Sequence, residues 1–254
     1  PNHGHDQAIV NGISRIGYMK GGKAALWKDE NINDSIVAHG VDFIEKHKNT
    51  PFFLYLATND IHVPRVPHPR FTGKSGMGPR GDALIQFDWT VKKVIEALER
   101  AGLREQTMII LTSDNGPVVD DGYQDQAVEL LGEHRPWGPL RGGKYSSFEA
   151  GTRVPFIVNY PNYVKIGISN ALISQIDFLA TMAEFLGISL TEVQKKDSRE
   201  QLSAWYGQDK KGRDYVIEQA GSLSISDGEW KYISPSKGKA YQKLTDTELG
   251  NDPE

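Results

Sequence analysis

Asp114 and Asn115 stand side by side in Thr112-Ser113-Asp114-Asn115-Gly116, directly after the apolar run Thr107-Met108-Ile109-Ile110-Leu111. The run is short, apolar and closed by turn residues, so it reads as a buried strand. A carboxylate and an amide carbonyl at the carboxyl end of a strand are hard oxygen donors suited to Ca²⁺ or Mg²⁺, and α/β sheets bind ligands at that end. Asp-Asn-Gly is also ordinary turn chemistry, and an Asx turn capping the strand accounts for the same letters. His62 follows a second apolar run, Pro51 to Ala57, in Thr58-Asn59-Asp60-Ile61-His62-Val63-Pro64. Its imidazole can donate a hydrogen bond to an anion and supply a proton near neutral pH. Lys144 closes Gly142-Gly143-Lys144, where glycines let backbone approach an anion and the ammonium adds a flexible point charge. Taken singly, His62 and Lys144 read equally as solvated loop residues.

The elements that must position these groups alternate. Residues 30–48 form a helix with Ile32, Ile36, Val37, Val41 and Ile44 on one face. A buried strand follows from Phe52. Residues 82–101 form a second helix, with Asp82 as N-cap, Leu84, Phe87, Val91, Val94, Ile95 and Leu98 as its apolar face, and Gly102 as its stop. The strand at Met108 leads through a long polar loop, residues 116–145, to a strand at Val154-Pro155-Phe156-Ile157-Val158. A loop of that length in a compact domain is usually functional or disordered. Residues 171–186 form a third helix ended by Gly187, with Asp177 and Thr181 pinning it. Beyond Asp214 come short strands, Tyr215-Val216-Ile217 and Trp230-Lys231-Tyr232-Ile233, with Asp227-Gly228 as a hairpin turn. The pattern predicts an α/β core over residues 1–195 and a small β-rich subdomain over residues 196–254, with a soft boundary between Thr191 and Arg213.

Three blocks in this order carry a family resemblance: Pro51-Phe52-Phe53-Leu54-Tyr55-Leu56-Ala57 running into His62-Val63-Pro64, then Thr112 to Gly116, then Gly138-Pro139-Leu140-Arg141-Gly142-Gly143-Lys144 with Phe148-Glu149-Ala150-Gly151-Thr152-Arg153-Val154-Pro155. From roughly Gly17 to Trp230 the chain resembles the type I sulfatases, the arylsulfatase-like members of the alkaline phosphatase superfamily. The resemblance implies an alkaline-phosphatase-like α/β fold and a sulfuric ester hydrolase acting on sulfated carbohydrate. It implies Ca²⁺ held in part by Asp114 and Asn115, with Lys144 contacting the sulfate and assisting the leaving group. His62 is implied as a sulfate ligand and candidate acid, with Asp60 orienting its loop. A Glu149–Arg153 pair is expected to be buried and to brace the Lys144 loop. The resemblance also implies a periplasmic or secreted protein.

Lys20, Lys23, His134, Arg135 and Arg141 are basic loop residues. They read either as sugar-recognising groups, with Lys20, His134 and Arg141 the leading candidates, or as solvated surface charge; Trp137 adds an aromatic beside them.

Family members carry a Cys or Ser in a C/S-x-P-S-R motif that becomes the formylglycine nucleophile. This chain has no Cys, and no serine begins that motif: Ser234 precedes Pro235 directly. The N-terminal Asp ligand pair and a G-K-W-H-like segment are also missing. With a start at Pro1 and an end at Glu254, the expectation is an internal fragment lacking the N-terminal third, inactive on its own. Two other readings stay open: a non-catalytic paralogue that binds sulfated glycans, and a phosphodiesterase or phosphonate hydrolase of the same superfamily. A net charge of −4 argues against nucleic acid as a partner. No stretch approaches the roughly 20 apolar residues of a membrane span. Absence of Cys excludes disulfides and thiolate metal sites.

Overall fold

The computed structural model describes residues 28–235. They fall into two compact units. One runs through Arg104 and takes up Val118–Pro136; the other comprises Glu105–Pro117 and the chain from Trp137 onward.

In the first unit, a 3-10 turn at Asp29–Asn31 leads into α1, Ile32–His47, which packs on α2, Gly78–Arg100. The buried positions of α1 are Asn33, Val37, Gly40 and Ile44, one face at helical spacing. α2 starts four residues before the expected cap. Asp82 is not an N-cap: it lies in the second turn, buried, accepting from the Gly73 and Ser75 backbone N–H groups and the Ser75 hydroxyl. Those bonds hold its carboxyl below the ordinary Asp value even against burial, which is the largest single influence and acts the other way. The buried face of α2 is also rotated from the expected one. Ala83, Gln86, Thr90, Ala97 and Leu98 are buried, while Leu84, Phe87, Val91, Val94 and Ile95 are half-buried. Polar residues can occupy this face because each finds a partner: Thr90 accepts from Asn33 at 2.7 Å, and Gln86 accepts from the His68 N–H at 2.8 Å. Gly102, at φ +69°, ends α2 as the sequence implies.

Residues 51–58 are the main departure. They are extended and alternate in exposure, but they join no strand ladder among the described residues, and Phe53 and Tyr55 are exposed. Phe52 meets Phe43 edge-on, and Leu56 lies against Gly40, where a Cβ would come within 3.2 Å of its side chain. The run is therefore half-buried on α1 rather than buried on both faces.

In the second unit, β1 (Ile109–Thr112) pairs antiparallel with β2 (Phe156–Asn159), with Thr112 opposite Phe156. The third helix is shorter than expected. A 3-10 turn at Gln175–Asp177 precedes a longer helix, Phe178–Phe185, because residues 171–174 are taken up by a bridge from Leu172 to Gly212. Asp177 is fully buried and accepts from the Arg213 guanidinium at 2.7 and 2.5 Å and from the Arg199 N–H at 2.8 Å. Thr181 accepts from the Gln201 N–H. Both pin this helix as expected. Phe156, Phe178 and Trp205 make the local aromatic core.

The carboxy-terminal strands form a three-stranded antiparallel sheet: β3 (Val216–Ala220), β4 (Ser222–Ser226) and β5 (Lys231–Ile233). β4 is an addition to the expected pair. Its Ser-Leu-Ser-Ile-Ser alternation is a period-2 signal hidden by low hydrophobicity. The fold is thus mixed α/β, with two small antiparallel sheets among the described residues.

Candidate active site

β1 delivers Asp114 and Asn115 just past its last residue, Thr112. Gln175 fastens this end: its amide donates to the Ser113 carbonyl at 2.5 Å and to the Thr112 hydroxyl at 3.3 Å. The chain then turns tightly against the Lys144 block. Gly116 N–H donates to the Gly151 carbonyl at 2.9 Å, and Lys144 N–H donates to the Pro117 carbonyl at 2.8 Å. Two backbone bonds thereby tie the Asp114–Asn115 turn to the loop that presents Lys144.

The glycines of these blocks are spatial requirements. A Cβ on Gly116 would lie 1.7 Å from the Ala150 carbonyl oxygen, and one on Gly151 would lie 2.2 Å from that of Ser146 and 2.5 Å from that of Gly143. The Ser146 hydroxyl donates to the Gly143 carbonyl and accepts from the Gly143 N–H, closing the loop beneath Lys144.

The Asp114 carboxylate is exposed and takes part in no hydrogen bond or ion pair among the described residues; Asn115 is half-buried. The carboxylate therefore does not close an Asx turn, in which it would accept a local N–H. Among the described residues no three His, Asp or Glu side chains gather as a metal-binding group. Lys144 is half-buried, with its ammonium 5.1 Å from the centre of the Tyr145 ring.

Glu149 and Arg153 do not form the buried brace expected of them. Arg153 is exposed and its contact with Glu149 is long, at 3.8 Å. Lys231 of β5 takes that role: its ammonium meets Glu149 at 2.8 Å, Glu218 at 2.7 Å and the Thr152 hydroxyl at 2.8 Å. The Ser147 hydroxyl adds hydrogen bonds to the Ala220 and Ser222 carbonyls. Neither anchor was visible in sequence, because the partners on β3, β4 and β5 lie about 73 to 79 positions away.

His62 belongs to the first unit. It is exposed, its N–H donates to the Asn59 carbonyl at 2.9 Å, and its Nδ1 lies 2.7 Å from the Val63 carbonyl. A carbonyl only accepts, so Nδ1 is the donor in that contact. Asp60, beside it, accepts from Gln86 at 3.0 Å; its other oxygen and the Asn59 amide oxygen are buried without a partner among the described residues. Burial pushes the Asp60 carboxyl up to about 6, against the opposing Gln86 hydrogen bond.

Arg141 is exposed, its guanidinium 4.1 Å from the centre of the Phe148 ring. His134 sits in the first unit, its imidazole held below the ordinary value by partial burial of the ring and then by the Arg80 charge. Lys20 and Lys23 lie outside the described residues.

The family model for sulfatases matches residues 2–188. The chain belongs to the sulfatase family. It is 53% identical over 254 residues to the N-acetylgalactosamine-6-O-sulfatase of Bacteroides thetaiotaomicron, covering 99% of this chain and 50% of that protein. Human arylsulfatase A is 30% identical over 215 residues, which is 82% of this chain and 40% of that protein. A solved Bacteroides thetaiotaomicron structure, described under the metabolism of multiple glycosaminoglycans, superposes with a TM-score of 0.89 at 53% identity, covering 97% of this chain and 52% of the other. A solved structure in complex with k-i-k-neocarrahexaose gives a TM-score of 0.65 at 26% identity over 82% of this chain and 47% of the other. The sulfatase chain thus spans about half the length of the relatives it matches. Its fold is the alkaline-phosphatase-like α/β fold of those neighbours.

Proposed function

We propose that this chain is the Ca²⁺-and-sulfate-binding part of a sulfatase that hydrolyses a sulfate monoester on an amino sugar of a sulfated glycan, at the 6-O position. The observation that carries it is the double backbone tie that sets the Asp114–Asn115 turn beside the Lys144 loop. Asp114 and Asn115 would hold Ca²⁺ with ligands from elsewhere in the protein. When bound, that ion polarises an oxygen at the reaction centre. Lys144 places positive charge where the sulfate oxygens and the departing oxygen carry negative charge. His62 holds a proton at Nε2 and gives it to the departing sugar oxygen. Arg141, His134 and Lys20 are assigned to further anionic or hydroxyl groups of the sugar. The 6-O-sulfated amino sugar is supported by the name of the 53%-identical relative. The compartment is proposed as periplasmic or secreted; no helix of the described residues is long and apolar enough to cross a membrane.

The test is release of sulfate by the full-length protein from N-acetylgalactosamine carrying sulfate at position 6 or at position 4. The account expects turnover of the 6-sulfate alone. Binding of both sugars without sulfate release would favour a non-catalytic glycan-binding protein instead.

A further inference from the structure

The turn that carries His62 is held by a buried cation with four acceptors. Arg65 is buried, as is its partner Asp125. The Arg65 fork donates from Nη1 to Asp125 Oδ2 at 2.8 Å, from Nη2 to the Val119 carbonyl at 3.0 Å and the Val118 carbonyl at 3.3 Å, and from Nε to the Ile61 carbonyl at 3.2 Å. Ile61 immediately precedes His62, and His62 N–H closes the same turn onto Asn59. The other Asp125 oxygen accepts from the Ala127 N–H, so that carboxylate is engaged at both ends. Pro64 and Pro67 flank Arg65 and restrict the backbone on both sides. All of these groups lie in the first unit.

We infer that Arg65, held by Asp125, is a positioning residue for His62. The inference rests on the acid role proposed for His62 above. Because Nδ1 is tied to the Val63 carbonyl, the ring has no independent freedom to find its proton acceptor, and the turn decides where Nε2 stands. The guanidinium bonds that turn to the Val118–Asp125 segment through three acceptors. A planar fork can serve the Ile61 carbonyl on one side and the Val118–Asp125 segment on the other; an ammonium, as a point charge, cannot serve both. General acid catalysis is sensitive to such placement, since misplacing a group by about 1 Å can cost on the order of 10²-fold. A pair that only stabilised the fold would lower the amount of folded enzyme and scale down every substrate alike.

The experiment measures kcat and KM of the full-length enzyme, per folded molecule, on N-acetylgalactosamine 6-sulfate and on 4-nitrophenyl sulfate. Variants are His62→Ala, Arg65→Lys, Asp125→Asn and the His62→Ala/Arg65→Lys double. An aryl leaving group needs little protonation and a sugar alkoxide needs much. His62→Ala should therefore lose at least about tenfold more on the sugar sulfate than on the aryl sulfate. Arg65→Lys and Asp125→Asn should reproduce that contrast in kcat with metal content unchanged, and the double should show no further selective loss. Asp125→Asn keeps the side-chain size and carries the test if Arg65→Lys does not fold. Equal losses on both esters in the Arg65 and Asp125 variants, with the contrast intact in His62→Ala, would overturn the positioning role alone. No contrast in His62→Ala would overturn its acid role and the inference with it.

Discussion

Asp60 shows how burial can make a single side chain sensitive to pH. Its carboxyl is raised to about 6 from an ordinary 3.8, so the folded protein binds that proton more tightly than the unfolded chain. Stability is therefore highest, as far as this group is concerned, below the unfolded value. It declines as pH rises through the interval, and the full cost of the buried charge is present above about pH 6. That cost is at most about 3 kcal/mol, since each pKa unit is about 1.4 kcal/mol. Asp60→Asn should raise the urea midpoint of the full-length protein at about pH 7.5 and leave it nearly unchanged at about pH 4. A gain of the same size at both values would show that ionisation of Asp60 is not the cause. At this scale the sequence was informative where chemistry sits in short blocks. The blocks that hold Asp114–Asn115 and Lys144 stand out from neighbouring letters, and backbone bonds tie them together. Arg65 and Asp125 gave no signal, because their partnership spans sixty positions and neither lies in a periodic pattern.

Helix and strand placement was legible wherever a periodic apolar pattern ended in a conformationally special residue. Gly102 and Gly187, both at positive φ, stop their helices as expected. The α2 start and its buried face were not legible, because Asp82 serves the preceding loop and hydrogen-bonded Gln86 and Thr90 replace apolar residues on that face. The strand β5 was legible, but the role of its Lys231 was not: it bonds Glu149 and Glu218 and so secures the segment after Lys144. Lys231→Met should destabilise the full-length protein by about 1.5–3 kcal/mol, the range for hydrogen bonds to charged groups, as read by urea unfolding. Adding Glu149→Gln and Glu218→Gln to that variant should recover part of the loss, because the stranded carboxylates are then neutral. A triple variant no more stable than Lys231→Met would assign the loss to packing of the lysine stem instead.

At the scale of the whole molecule, the proposed function makes the chain one part of a reaction centre. Ca²⁺ takes about 6–8 oxygen ligands, and under the proposed function Asp114 and Asn115 would provide only a few of them. Calorimetry should accordingly find weak or no Ca²⁺ binding by residues 1–254 alone and clear binding by the full-length protein. Tight binding by the shorter chain would reveal a ligand set that these two residues do not account for. The central claim is that the Asp114–Asn115 turn and the Lys144 loop, tied by backbone bonds, serve one sulfate-ester reaction through different means. The most direct measurement is sulfate release from N-acetylgalactosamine 6-sulfate by the full-length enzyme, with bound Ca²⁺ counted in the same samples, for the parent, Asp114→Ala and Lys144→Ala. The account predicts that both variants lose at least about 10²-fold in turnover, as for a removed electrostatic group, and that only Asp114→Ala loses Ca²⁺. Parental turnover in Lys144→Ala, or full Ca²⁺ occupancy in Asp114→Ala, would contradict it.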